Sequence, residues 1–103
     1  MGIVYLIECN NEGYITYKIG ITKGKAKKRL KELLTGNSGN LSIIYEFESQ
    51  NASKVEKALH RQFSHIHLNR EWFSDSLDID EFKKACQIYE NAINILLENS
   101  NKN

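Results

Sequence analysis

Between Lys18 and Lys31 the chain carries seven basic residues and no acidic one: Lys18, Lys23, Lys25, Lys27, Lys28, Arg29 and Lys31. The full 103 residues hold 14 basic and 13 acidic side chains, so the rest of the chain has 7 positive against 13 negative charges. A nearly neutral protein that gathers half its positive charge into one turn and one short helix presents a patch that attracts phosphate-rich polymers. A solvated lysine-rich helix face is the plainer account of the same pattern. Further along, Glu56 and His60 stand one helical turn apart and would share a helix flank. Ser53 and Glu56 also have the spacing of a capping box, which would tie the glutamate to a helix start instead. His65 and His67 share an H-x-H spacing that suits zinc, with no third ligand in evidence. Trp72 and Phe73 are either the lid of a small core or a stacking surface for nucleic acid.

These residues need elements to position them. Gly2 to Glu8 is β-branched and aromatic and reads as a central strand, apolar on both faces. Asn10-Asn11-Glu12-Gly13 is turn chemistry. Tyr14 to Gly20 reads as a second strand, with Tyr14, Thr16 and Lys18 on one face and Ile15, Tyr17 and Ile19 on the other. The basic stretch then continues as a helix with Ala26, Leu30, Leu33 and Leu34 along one face, stopping near Gly36. Thr35 to Asn40 is a loop, and Leu41 to Glu48 a third strand. Residues 52–66 read as a helix with Val55, Leu59, Phe63 and Ile66 facing inward. Leu68 to Ser76 reads as a surface segment. A last helix follows, with Asp78 and Glu81 at its start in capping-box spacing and Ile79, Phe82, Cys86, Tyr89, Ile93 and Leu96 repeating along it.

The fold expected is α/β in the α+β sense, a small three-stranded antiparallel sheet flanked by helices in the order β-β-α-β-α-α. One domain is expected: residues 1–76 as its core, 77–98 as a helix packed on it and 99–103 as a polar tail. Hydrophobic residues make up 41% and charged residues 26%, an ordinary globular mixture. Cys9 and Cys86 lie far apart without CxxC spacing, which indicates neither a disulfide framework nor a zinc site. With no signal peptide and no long apolar run, no membrane association is expected, and the location expected is intracellular, cytoplasmic or nucleoid-associated.

Four features in this order resemble the GIY-YIG nuclease superfamily: Gly2-Ile3-Val4-Tyr5 opening a strand, Tyr17-Lys18-Ile19-Gly20 closing the next, Arg29 in a basic helix, and Glu56 in a later helix. Glu71-Trp72-Phe73 after that helix is similar to the short phage and fungal branch, which includes the meiotically up-regulated gene 113 type and reads KIG where others read YIG. The resemblance covers roughly residues 2–75. It implies metal-dependent hydrolysis of a DNA phosphodiester, with Tyr5 as general base, Arg29 on the scissile phosphate and Glu56 binding Mg²⁺ or Mn²⁺. One carboxylate with water ligands suits Mg²⁺, which leans on substrate phosphate.

Lys18 stands in place of the second tyrosine, where it could lower the pKa of Tyr5 or contact phosphate, and Leu33 replaces a histidine or tyrosine of relatives. His60 would serve as proton shuttle or phosphate contact, or else pack a helix edge. In a central strand Tyr5 could equally be a core aromatic. Lys23, Lys25, Lys27, Lys28 and Lys31 would track the DNA backbone. Three functions therefore compete: a metal-dependent DNA endonuclease, a catalytically degenerate nucleic-acid-binding module, and an interaction domain for an acidic protein. A domain this small leaves sequence preference to a homodimer or a partner protein.

Overall fold

A computed structural model describes residues 2–24, 28, 31–32 and 40–101. The chain begins with a long hairpin, β1 (Gly2–Asn11) and β2 (Tyr14–Thr22), in which Asn11 pairs Tyr14. Glu12 and Gly13 close it, both with positive φ, 54° and 90°. Two successive left-handed residues give the turn whose twist matches the strands it joins. Asn10 steadies it by accepting the Gly13 N–H on Oδ1 at 2.9 Å.

After β3 (Asn40–Ser49) come α1 (Ala52–Gln62), a single 3₁₀ turn (Ser64–Ile66), two short strands β4 (His67–Asn69) and β5 (Trp72–Ser74), and α2 (Ile79–Asn101). The expected three strands in β-β-α-β-α-α order are corrected to a five-stranded antiparallel sheet, in the spatial order β3-β1-β2-β5-β4, with two helices bounded in full. The added strands are the segment expected as irregular surface. Three residues are too few to show alternation, but Thr16, Tyr17 and Lys18 need ladder partners along their outer edge, and Ser74, Phe73 and Trp72 supply them. The reversal between β4 and β5 turns on Arg70, at φ 49°.

Of the segment expected as the basic helix, Lys28, Lys31 and Glu32 are described, and each is helical and exposed. Its apolar face and Arg29 lie outside the described residues. The helix expected over 52–66 splits at Phe63, whose N–H still reaches the Leu59 carbonyl at 3.0 Å.

β1 is the central strand that its two-sided apolar pattern requires. Val4 and Leu6 face the helices and are sealed by Ile19, Val55, Leu59, Phe63, Phe73 and Phe82. Tyr5 and Ile7 face the other way, with Leu41 and Ile43 against them. Tyr17 and Ile19 are buried in the helix-side core, as alternation assigns them. α2 enters that core through Phe82, Ala85 and Cys86. Its start is capped by Asp78, whose Oδ1 accepts the Glu81 N–H at 3.0 Å. Burial pushes the Cys86 thiol up to about 12, so it stays an inert apolar filler.

A second attachment of α2 is polar. Glu90, 8% exposed, accepts from the Ser49 hydroxyl at 2.8 Å, the Gln50 N–H at 2.9 Å and the Asn51 side-chain amide at 2.9 Å. Asn51 also donates to Asn94 Oδ1 at 2.8 Å. The end of β3, the start of α1 and the middle of α2 are thereby tied at one point.

Candidate functional site

β2, α1 and β5 meet at Ile19. Its carbonyl faces His60 Nε2 at 3.1 Å, and its N–H donates to the Glu71 carbonyl at 3.2 Å. A carbonyl only accepts, so the His60 Nε2 carries the hydrogen and a neutral His60 keeps its lone pair on Nδ1. The imidazole is held edge-on to Phe73, with ring centres 5.1 Å apart. One turn earlier on α1 is Glu56.

Across this junction Lys18 is 7% exposed, and its Nζ lies 2.8 Å from Glu71 Oε2 and 5.8 Å from the centre of the Trp72 ring. A buried ammonium needs such a partner. Phe73 turns to the core while Trp72 lies against Lys18, so adjacent strand residues serve opposite faces.

Glu56 is half-buried, and no hydrogen bond or ion pair joins it to another described residue. Burial raises its pKa above the ordinary carboxylate value. His60 opposes that rise, Glu71 adds to it, and Lys18 and Lys57 oppose it again. Those long-range influences place Glu56, His60, Lys18 and Glu71 in one electrostatic cluster. The capping box that would have accounted for Glu56 does not form: α1 starts at Ala52 with Asn51 as N-cap, and no side chain caps it. Asn51 spends its amide on Glu90 and Asn94 instead.

Tyr5 lies on the same sheet face as Lys18, since Ile7 pairs Lys18 and Tyr5 pairs Gly20. It is 1% exposed, in the apolar cluster on the sheet face away from the helices. It pairs across the ladder with Gly20, and a Cβ on Gly20 would run into the Tyr5 ring and hydroxyl. The glycine is therefore required by the tyrosine ring lying on it. Lys23 is exposed beside a cleft of about 310 Å³ that Thr22, Gln50 and Ser53 also line. Lys28 and Lys31 are exposed on helical backbone, while Arg29, Lys25 and Lys27 lie outside the described residues. His67 is occupied with the Arg70 carbonyl and the Phe73 ring. Among the described residues no three His, Cys, Asp or Glu side chains converge as a metal cage.

Glu71 is the site residue that sequence reasoning missed, since its ion pair depends on a hairpin of three-residue strands. Its one signal was that Lys18 stood on an inner strand and required a counter-charge.

Compared with known families, the chain matches the T5orf172 domain over residues 2–99. It belongs to the T5orf172 domain family. This corrects the resemblance to the GIY-YIG superfamily, a different family that gives no match. Tyr5 and Gly20, which carried that resemblance, are explained by packing across β1 and β2. T5orf172 domains are nuclease-like, DNA-binding modules, and membership is compatible with work on nucleic acid. The match takes in most of α2, which belongs to the family domain and is no addition to it. No curated protein and no solved structure matches the chain.

Proposed function

We propose that this T5orf172 domain is a metal-dependent endonuclease that hydrolyses DNA phosphodiesters at Glu56. The observation that carries this reading is the state of that carboxylate: half-buried, raised in pKa, and without a hydrogen-bonding partner among the described residues. Leaving a desolvated carboxylate unmet costs stability, and sites of chemistry are where such costs are kept.

The donor set fits a hard divalent cation. Glu56 offers oxygen ligands and Glu71 a second carboxylate nearby, which suits Mg²⁺ or Mn²⁺ completed by water and phosphate. It does not suit zinc, which asks for three or four protein ligands. When bound, the cation would supply charge neutralisation on the phosphoryl oxygens and a more acidic water. The chain's own residues do the rest. Glu56 holds the cation. Lys18, fixed by Glu71, sets a positive charge beside the phosphate. His60, its Nε2 hydrogen given to Ile19, offers Nδ1 as proton acceptor. Lys23, Lys28 and Lys31, with Lys25, Lys27 and Arg29 in the same stretch, guide the backbone. Tyr5 enters as the support of Gly20 in β2, two residues from Lys18.

A second reading is a DNA-binding module without catalysis. The commitment of the Lys18 ammonium to Glu71 favours it. Plasmid DNA with Mg²⁺, with Mn²⁺ and with chelator separates the two. Metal-dependent nicking that disappears in Glu56→Gln supports the nuclease. Binding without nicking in any metal, or nicking that survives Glu56→Gln, overturns it.

A further inference from the structure

The face of α1 beside Glu56 has a use that the site above leaves open. Lys54, Lys57 and Arg61 repeat at i, i+3 and i+7, all exposed, along about 10 Å of helix. No salt bridge engages any of them among the described residues. Lys54 sits in the first turn, where the helix dipole disfavours a cation, and no acidic residue offsets it there. Lys54 is therefore placed against the helix dipole, while Arg61 in the last turn is placed with it.

Opposite this stripe α2 presents Tyr89, Ile93 and Leu96, and the two walls enclose a groove of about 370 Å³. From Gln87 to Asn101 the only charged residues of α2 are Glu90 and Glu98. Glu90 is turned away to Ser49, Gln50 and Asn51, so the α2 wall is apolar. The Tyr89 ring is held by its hydroxyl, which donates to Gln62 Oε1 at 2.7 Å.

A cationic wall facing an apolar and aromatic one suits a single nucleic-acid strand, with phosphates on one side and base faces on the other. A duplex, whose base faces are stacked inside, gains nothing from the apolar wall. Lys57 adjoins Glu56 in sequence and reaches it electrostatically, so the groove leads away from the proposed site of cleavage. We propose that the groove between α1 and α2 holds a single-stranded segment of the nucleic acid substrate, its phosphates on Lys54, Lys57 and Arg61 and its bases against Tyr89, Ile93 and Leu96. This rests on the nuclease reading for the adjacency to Glu56, but its binding test does not depend on cleavage.

The test is fluorescence anisotropy in chelator across a salt series, with labelled oligothymidylate and a matching duplex. The variants are Lys57→Glu/Arg61→Glu and the neutral Lys54→Gln/Lys57→Gln/Arg61→Gln, each with its melting curve recorded. Wild type is expected to bind the single strand more tightly than the duplex. Three lost phosphate contacts should reduce the slope of log K against log salt by about 2 for the single strand, and weaken its binding about tenfold or more. Duplex binding through the Lys23–Lys31 stretch should change far less. Unchanged single-strand affinity and slope in both variants would overturn the proposal. So would equal losses for duplex and single strand, or groove-dependent binding of oligoglutamate in preference to oligothymidylate. If groove binding persists but no metal gives cleavage, the nuclease reading falls and the groove stands.

Discussion

Glu90 and Glu56 are two carboxylates withdrawn from water on neighbouring helices, and their surroundings differ. Burial alone would raise the pKa of Glu90, but the Gln50 N–H, the Asn51 amide and the Ser49 hydroxyl outweigh it and hold the group below the ordinary value. Around Glu56 burial prevails and the pKa is raised. One carboxylate is met by donors that fold into place with it, and the other has no hydrogen-bonding partner among the described residues. The difference separates a fastening from a site more clearly than either residue's identity does.

The comparison can be broken at either end. The largest effect expected is on activity: Glu56→Ala should lower metal-dependent cleavage about 100-fold or more, the several kcal/mol that a cation supplies, with DNA binding in chelator retained. Single-turnover cleavage beside anisotropy measures both. Next is Glu90→Ala, which strands the Ser49, Gln50 and Asn51 donors and should cost about 2–3 kcal/mol, lowering Tm by about 10 °C in a domain of this size. Thermal unfolding checks it, and a shift under a degree would make the polar junction ornamental. Glu71→Gln should cost about 1–2 kcal/mol, because it leaves the Lys18 ammonium buried and unpaired while half of the Glu71 side chain already faces solvent. Lys18→Met/Glu71→Gln should recover part of that loss in urea unfolding.

The smallest effect has opposite signs for the two glutamates. The folded pKa of Glu90 is depressed, so its contribution is present above the unfolded value of about 4.5 and is lost as pH falls through the folded value. The folded pKa of Glu56 is raised, so its contribution is present below about 4.5 and is lost as pH rises through the folded value. Glu56→Gln should therefore melt slightly higher than wild type at neutral pH, by about 0.5 kcal/mol or less, and lose that advantage near pH 4. Glu90→Gln should melt lower at neutral pH and approach wild type on acidification. Melting both variants at the two pH values would show whether the signs differ.

Much of this architecture is legible in the sequence where elements are long enough to show a period. The two faces of β1 and β2, the turn before Gly13, the inward residues of α1 and the Asp78 cap can all be read from residue types. β4 and β5 cannot, since three residues carry no period and their existence follows from the open edge of β2. The burial of Glu90 beside the apolar row of α2 has no local signal, because its partners come from a corner some forty positions earlier. Ser53 and Glu56 had capping spacing, but the helix began two residues earlier than that motif requires. Of the candidate site, Lys18, Glu56 and His60 lie together around the β2–α1 junction. Tyr5 shares the sheet face of Lys18, where Ile7 pairs Lys18 and Tyr5 pairs Gly20, and lies buried among apolar residues there; Arg29 falls outside the described residues.

β3 has one further consequence. It is ten residues long, it pairs β1 on one side, and no described strand lies on its other side. Such an edge is a template for a stray strand. Glu46 and Glu48 are exposed along it, flanking Phe47. If a second copy added its own β3 antiparallel about Phe47, each glutamate would lie opposite a glutamate, which is destabilising. Like charges at these two positions thus oppose edge-to-edge pairing of two copies, and neutralising both is expected to show first in solubility.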